Sequence, residues 1–186
     1  MMRSPSKLKA DGLPLFLDAS VIINLVASDR IDKILEALTR PIIIERTACN
    51  EFKHDPRDGT DAKEIINALV SDGRLIIATL SDAQYEDFLS LTGAFPPDDI
   101  GDGEAATIVC ANGVGGVAID DRKALRIAAK NFPQIPLYSS LDILCAECIF
   151  SALGKDAVLN AVRGAINKAR MRVPHLWKDW ILKNIP

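Results

Sequence analysis

Short apolar runs alternate along this chain with longer stretches whose apolar positions recur three and four residues apart, the signature of a parallel sheet covered by helices. The runs at 14–18, 42–45, 75–79, 117–119 and 136–138 read as strands. Helical periodicity occupies 20–27, 31–39, 47–54, 60–72, 81–91, 102–112, 121–131 and 140–153. Asp72-Gly73, Asn112-Gly113 and Asn131-Phe132-Pro133 mark stops, because glycine or proline ends a helical pattern there. Beyond residue 154, "KDAVLNAVRGAINKARMRVP" reads as an amphipathic helix, with Val158, Val162, Ala165 and Ala169 opposite Asn160, Arg163, Asn167 and Arg170. No internal repeat interrupts this order.

One stretch breaks the pattern. "LFLDASVIINL" is nearly all apolar, yet Asp18 sits at its centre. A lone carboxylate buried in such a run is costly, so it must reach water, meet a cation or take up a proton. Asp120, with Asp121 beside it, stands likewise at the end of "GVAI". In an open parallel sheet, ligands bind in the crevice beyond the carboxyl ends of the strands, so Asp18 and Asp120 are candidates to converge there.

Two further acids are placed for such a crevice, Glu51 in "TACNEFKHD" and Glu104 in the first helical turn after "DDIGDG". Carboxylates gathered in one crevice raise each other's pKa unless positive charge lies between them. Hard divalent cations with oxygen ligands, Mg2+ or Mn2+, suit that donor set better than zinc does. A site of this kind serves phosphodiester hydrolysis, by acidifying an attacking water and stabilising a leaving oxygen. Strand-end aspartates also cap the helix that follows, and a first-turn glutamate answers the helix dipole, so both readings stand on spacing alone.

Composition narrows the field. A net charge of -3 and a pI near 5.4 exclude a protein that coats nucleic acid over its whole surface, so any such contact needs a local basic patch. Two are available: Arg122, Lys123 and Arg126 after the Asp120 pair, and the C-terminal stretch carrying Arg163 and Arg170. No apolar run reaches the roughly 20 residues of a membrane span, and the start lacks a cleavage-site pattern, so a cytoplasmic protein with no membrane contact is expected. Cys49, Cys110, Cys145 and Cys148 read as buried thiols, since "CAEC" lacks the second ligand pair of a structural zinc site and His54 and His175 lie far apart. "NGVGG" follows a helix and precedes a strand, the reverse of a phosphate-cradling loop. Asp18-Ala19-Ser20 lacks the second aspartate of an aspartyl phosphotransferase.

Taken in order, "FLDASVIINL", "CNEFKHD", "GDGEAATIVCA" and "GVAIDDRKALRIA" resemble the four acidic motifs of PIN-domain proteins, in particular the branch whose third motif reads Gly-Glu-Ala, and are similar to VapC-type toxin ribonucleases. The resemblance covers roughly residues 13–145. It implies an α/β, Rossmann-like three-layer fold with a mainly parallel central sheet and a metal-dependent endoribonuclease that uses Mg2+ or Mn2+ and metal-activated water. It also implies the toxin half of a toxin-antitoxin pair, with RNA as substrate, a cognate antitoxin as partner and a homodimer as assembly. Carried over motif by motif, Asp18, Glu51, Glu104 and Asp120 are catalytic, with Asp18, Glu104 and Asp120 as metal ligands and Ser20 orienting the first carboxylate. Asp102 and Asp121 are spare acids beside matched ones and take supporting roles. Arg122, Lys123, Arg126, Arg163 and Arg170 are the candidate substrate contacts. The expected organisation is a flexible tail over 1–12, a PIN-like domain over 13–150, and a C-terminal helical extension over 151–186 packed on the same domain. The alternative is a non-catalytic PIN-like nucleic-acid-binding or interaction protein.

Overall fold

The computed structural model describes residues 4–9 and 11–185. Five parallel strands form one sheet: β1 Leu15–Leu17, β2 Ile42–Glu45, β3 Ile76–Ala78, β4 Gly116–Ala118 and β5 Leu137–Tyr138, in the order β3-β2-β1-β4-β5. The first crossovers are α1 Ala19–Ala27 with α2 Ile31–Leu38, then α3 Arg46–Glu51 with α4 Lys63–Ser71. After β3 come α5 Asp82–Thr92, α6 Asp102–Ala111 and, past β4, α7 Arg122–Asn131. The chain ends with α8 Ser140–Leu144, α9 Glu147–Leu153, α10 Lys155–Ala169, a 3-10 turn His175–Trp177 and α11 Lys178–Asn184.

Strand side chains alternate between two cores, as the two-residue period of a strand requires. Leu15, Leu17, Ile42 and Ile44 join the layer built from α1, α2, α4, α8, α9 and α10, while Phe16, Val117 and Ile119 join α6 and α7 on the other face. This is the three-layer α/β architecture expected from the sequence. The strand order reverses between β1 and β4, which makes the crevice above those two strands the sheet's switch point. Asp18 follows β1 directly, and Asp120 lies two residues past β4.

Three helical stretches differ from their periodicity. The helix expected over 47–54 ends at Glu51, because buried Phe52 turns the chain (φ -80°, ψ 85°) towards an antiparallel bridge between His54 and Asp61. The next helix begins at Lys63 rather than residue 60, where the Asp61 carboxylate takes the Lys63 N–H at 2.9 Å. The stretch 140–153 divides at Cys145 and Ala146, the latter extended at ψ 151° and opening α9 as its N-cap.

Part of the segment expected as a loose tail is laid against α8. Ser4 Oγ donates to the Cys145 carbonyl (2.7 Å), Ser6 Oγ to the Asp142 carbonyl (2.6 Å), and the Lys7 N–H to the Asp142 carboxylate (3.0 Å). Residues 1–3 and 10 of that tail lie outside the described residues.

Helix α10 packs across α1, and the approach is close enough that a Cβ on Gly164 would stand 2.6 Å from the Ala27 carbonyl oxygen. Backbone cannot yield as a side-chain tip can, so Gly164→Ala is expected to cost about 1–3 kcal/mol, the usual range for overpacking. A urea titration reads this directly, and an unchanged midpoint would contradict the close approach.

Candidate active site

Asp18 is the N-cap of α1, and its position there explains half of its chemistry. Oδ2 accepts from the Ser20 N–H (3.1 Å) and from Ser20 Oγ (2.6 Å), which fixes the carboxylate's orientation. Oδ1 is buried with no hydrogen-bond partner. The residue is 3% exposed, and burial pushes its carboxyl above the ordinary range, against the opposing pull of the Ser20 bonds. A helix N-terminus and one serine therefore satisfy only one of two oxygens.

Asp120 is held from two directions. Asn24 Nδ2 donates to Oδ2 (2.6 Å), the Ser140 N–H donates to Oδ1 (2.8 Å), and Ser140 Oγ donates to Oδ2 (2.5 Å). Asn24 also donates to Ser140 Oγ (3.1 Å), closing a buried triangle between α1, the end of β4 and the start of α8. Burial raises the Asp120 pKa, and these donors work against it. Neither Asn24 nor Ser140 stood out from the sequence as a site residue. The available signal was one asparagine within the apolar run "VIINLVA". Supporting contacts to metal-binding or catalytic groups are commonly worth about 10–100-fold, so Asn24→Ala is expected to lower turnover by that order while the fold persists. Asn24→Gln, which keeps a donor, should recover part of it; equal turnover in wild type and Asn24→Ala would remove the role.

Asp121 has different work. Its Oδ1 accepts from the Lys123 N–H (2.8 Å) and Ala124 N–H (2.9 Å), capping α7 at the margin of the crevice.

Glu51 and Glu104 approach from α3 and α6. Glu51 Oε1 accepts from the Gly103 N–H at 3.1 Å, and a Cβ on Gly103 would stand 2.5 Å from that oxygen, so glycine is what admits the carboxylate. Glu104 lies in the first turn of α6, half-buried. The carboxyls of both are raised, first by burial and next by the charge of Asp18. Asp18 also acts on Asp120, Asp121 acts on Asp18 and Glu104, and exposed Asp102 acts on Glu51. The acids singled out from sequence thus form one electrostatic unit at the switch point.

A cleft of about 310 Å³ opens here, lined by Ser20, Asn24, Glu104, Asp120 and Asp121 and by residues 169–172. All the acidic donors are hard carboxylate oxygens, and Asp18 Oδ1 is one that protein leaves unmet. Among the described residues no three acids, histidines or cysteines close into a coordination cluster. Mg2+ needs no such cage, since it keeps several waters and is typically held by one or two carboxylates. The residues present therefore fit a partly hydrated hard cation.

The basic candidates separate. Lys123 pairs with Asp99 (3.1 Å), and Arg126 pairs with Asp98 (3.0 Å) and donates to the Pro97 carbonyl (3.0 Å), so both brace the 97–99 loop. Arg163 donates to Asn160 (2.8 Å) on the flank of α10, and Arg122 is exposed. Arg170 alone of the five lines the cleft, next to Arg172, which sequence reasoning counted only as part of a basic tail. The four cysteines are free; burial pushes the Cys110 thiol up to about 11 and raises Cys145 further, which keeps both neutral and unlike zinc thiolates.

A PIN-domain family model, DUF3368, matches residues 15–167, and the chain belongs to the PIN-domain family. PIN domains are in general nucleases that act on nucleic acid and use divalent metal ions. Neither a curated protein nor a solved structure matches this chain. Among the described residues no helix is long and apolar enough to cross a membrane.

Proposed function

We propose that this PIN-domain protein is an Mg2+- or Mn2+-dependent endoribonuclease, acting in the cytoplasm as the toxin half of a toxin-antitoxin pair. The observation that carries the enzymatic reading is Asp18 Oδ1: a buried carboxylate oxygen with no donor, on a carboxylate whose charge acts on Glu51, Glu104 and Asp120. An unmet buried polar atom costs about 1–3 kcal/mol, and a cation is the partner whose charge also offsets the neighbouring carboxylates. The toxin role, a cognate antitoxin and a homodimer rest on the ordered motifs and their resemblance to VapC-type proteins. Free thiols suit a reducing compartment.

In this reading Asp18, Glu104 and Asp120 would hold the cation, one or two of them directly and the rest through its waters, with Ser20 orienting Asp18 and the Asn24–Ser140 pair orienting Asp120. When bound, a hard divalent cation lowers the pKa of water and offsets charge on the phosphodiester. Glu51, its carboxyl raised by partial burial and by the charge of Asp18, would accept the proton that the attacking water loses. The water oxygen bonds to phosphorus, the bond from phosphorus to the leaving ribose oxygen breaks, and that oxygen takes a proton from solvent. Asp121 keeps α7 capped beside the cleft.

The second reading, a PIN-fold nucleic-acid-binding or interaction protein without turnover, draws on the absence of a three-donor cluster among the described residues. Calorimetric titration with Mg2+ and Mn2+ separates the two. Saturable binding lost in Asp18→Asn supports the nuclease; no heat beyond dilution with either ion favours the binder.

A further inference from the structure

We infer that Arg170 and Arg172 form a phosphate clamp in the lining of the acidic cleft, holding the backbone of the nucleic acid beside the carboxylates. The inference rests on the nuclease reading and adds a binding site to it. The family match ends at residue 167, so these arginines lie outside what family membership describes.

Helix α10 ends at Ala169 because Arg170 turns left-handed, at φ 55° and ψ 37°. Glycine is the ordinary occupant of that conformation, and a long side chain there is uncommon. The turn is fixed from both sides: the Arg170 and Met171 N–H groups both reach the Ala165 carbonyl, and Met171, 5% exposed, is sunk in the hydrophobic core. An anchored methionine thus fixes the backbone from which two exposed arginines project.

Both line the same cleft as Ser20, Glu104, Asp120 and Asp121. Neither makes an ion pair among the described residues, whereas Lys123, Arg126, Lys130 and Lys168 all do. A cleft lined both by acids and by two uncommitted guanidiniums complements a divalent cation beside a phosphodiester. Arginine suits this duty because its planar fork binds phosphate in two-pronged fashion.

The test uses the full-length Asp18→Asn protein, which binds without turning over, and a short fluorescent single-stranded RNA read by anisotropy across a salt series. Arg170→Gln and Arg172→Gln are each expected to weaken binding several-fold and to flatten the slope of log K against log salt by about 0.7, the value for one phosphate contact on a single strand. Arg172→Lys keeps the charge and should keep the slope. Arg74→Gln, outside the cleft lining and paired with Asp32 (2.8 Å), should change neither. Single-stranded DNA of the same sequence should show the same loss, since the clamp reads phosphate. Unchanged affinity and slope in both glutamine variants would overturn the clamp and leave the nuclease reading standing. A background protein that binds no RNA even at low salt would sink both.

Discussion

Asp18→Asn is expected to lower the rate of RNA cleavage by about 10²–10³-fold or more, the scale seen when one charge-stabilising group is removed from a catalytic site. The amide oxygen can keep both Ser20 bonds, and the new NH2 group would face neighbouring acids instead of repelling them. The fold should therefore survive, and in the cation-free protein at neutral pH it should be more stable than wild type. Asp18 is raised by burial above its ordinary value of 3.8, so the folded state holds the proton more tightly than the unfolded chain does. Asp18 thus subtracts stability at neutral pH, and that penalty shrinks as pH falls below the folded pKa and is gone once pH reaches the unfolded value near 3.8. The variant's advantage in Tm should shrink in the same direction. Mg2+ should raise the Tm of wild type and leave the variant nearly unmoved, because a ligand stabilises only the state that binds it. Equal responses to Mg2+ would take the cation away from Asp18.

Trp177→Ala carries the largest expected cost in stability, about 3–5 kcal/mol, the range for truncating a buried tryptophan. Trp177 is 1% exposed and meets Trp180 edge to face at 5.5 Å, and Trp180 in turn meets Phe150 at 6.4 Å. These rings tie the segment after α10 to α9, although they follow the end of the family match. The proposal that 151–186 belongs to the same domain predicts one cooperative urea transition, shifted as a whole in the variant. A separate early transition, or a loss under about 1 kcal/mol, would mark the C-terminal segment as a detachable addition.

The sheet was legible because each strand is a short apolar run of its own. Leu15–Leu17 and Ile42–Glu45 needed no partner to be recognised. The strand-end position of Asp18 and Asp120 follows from the same pattern, and the switch-point rule alone puts both at one crevice. Glu51 was harder: it ends a short helix, and its place in the acidic set rested on the short stretch "TACNEFKHD" and on the motif order. What stayed hidden was held by long-range contacts. Asn24 reaches Asp120 across 96 positions and Ser140 across 116, and no local pattern encodes either bond. The division of 140–153 was invisible for a related reason, since Cys145 and Ala146 are apolar and continue the helical period while the backbone turns. Arg172 looked like any tail cation until the left-handed turn at Arg170 carried it to the cleft.

The most direct measurement is RNA cleavage by the purified wild-type protein, followed with a chelator present and again after Mg2+ or Mn2+ is restored, beside Asp18→Asn under the same conditions. The proposed enzyme predicts cleavage that the chelator stops, that either ion restores, and that the variant lacks throughout. Cleavage indifferent to the chelator, or equal in the variant, would contradict it.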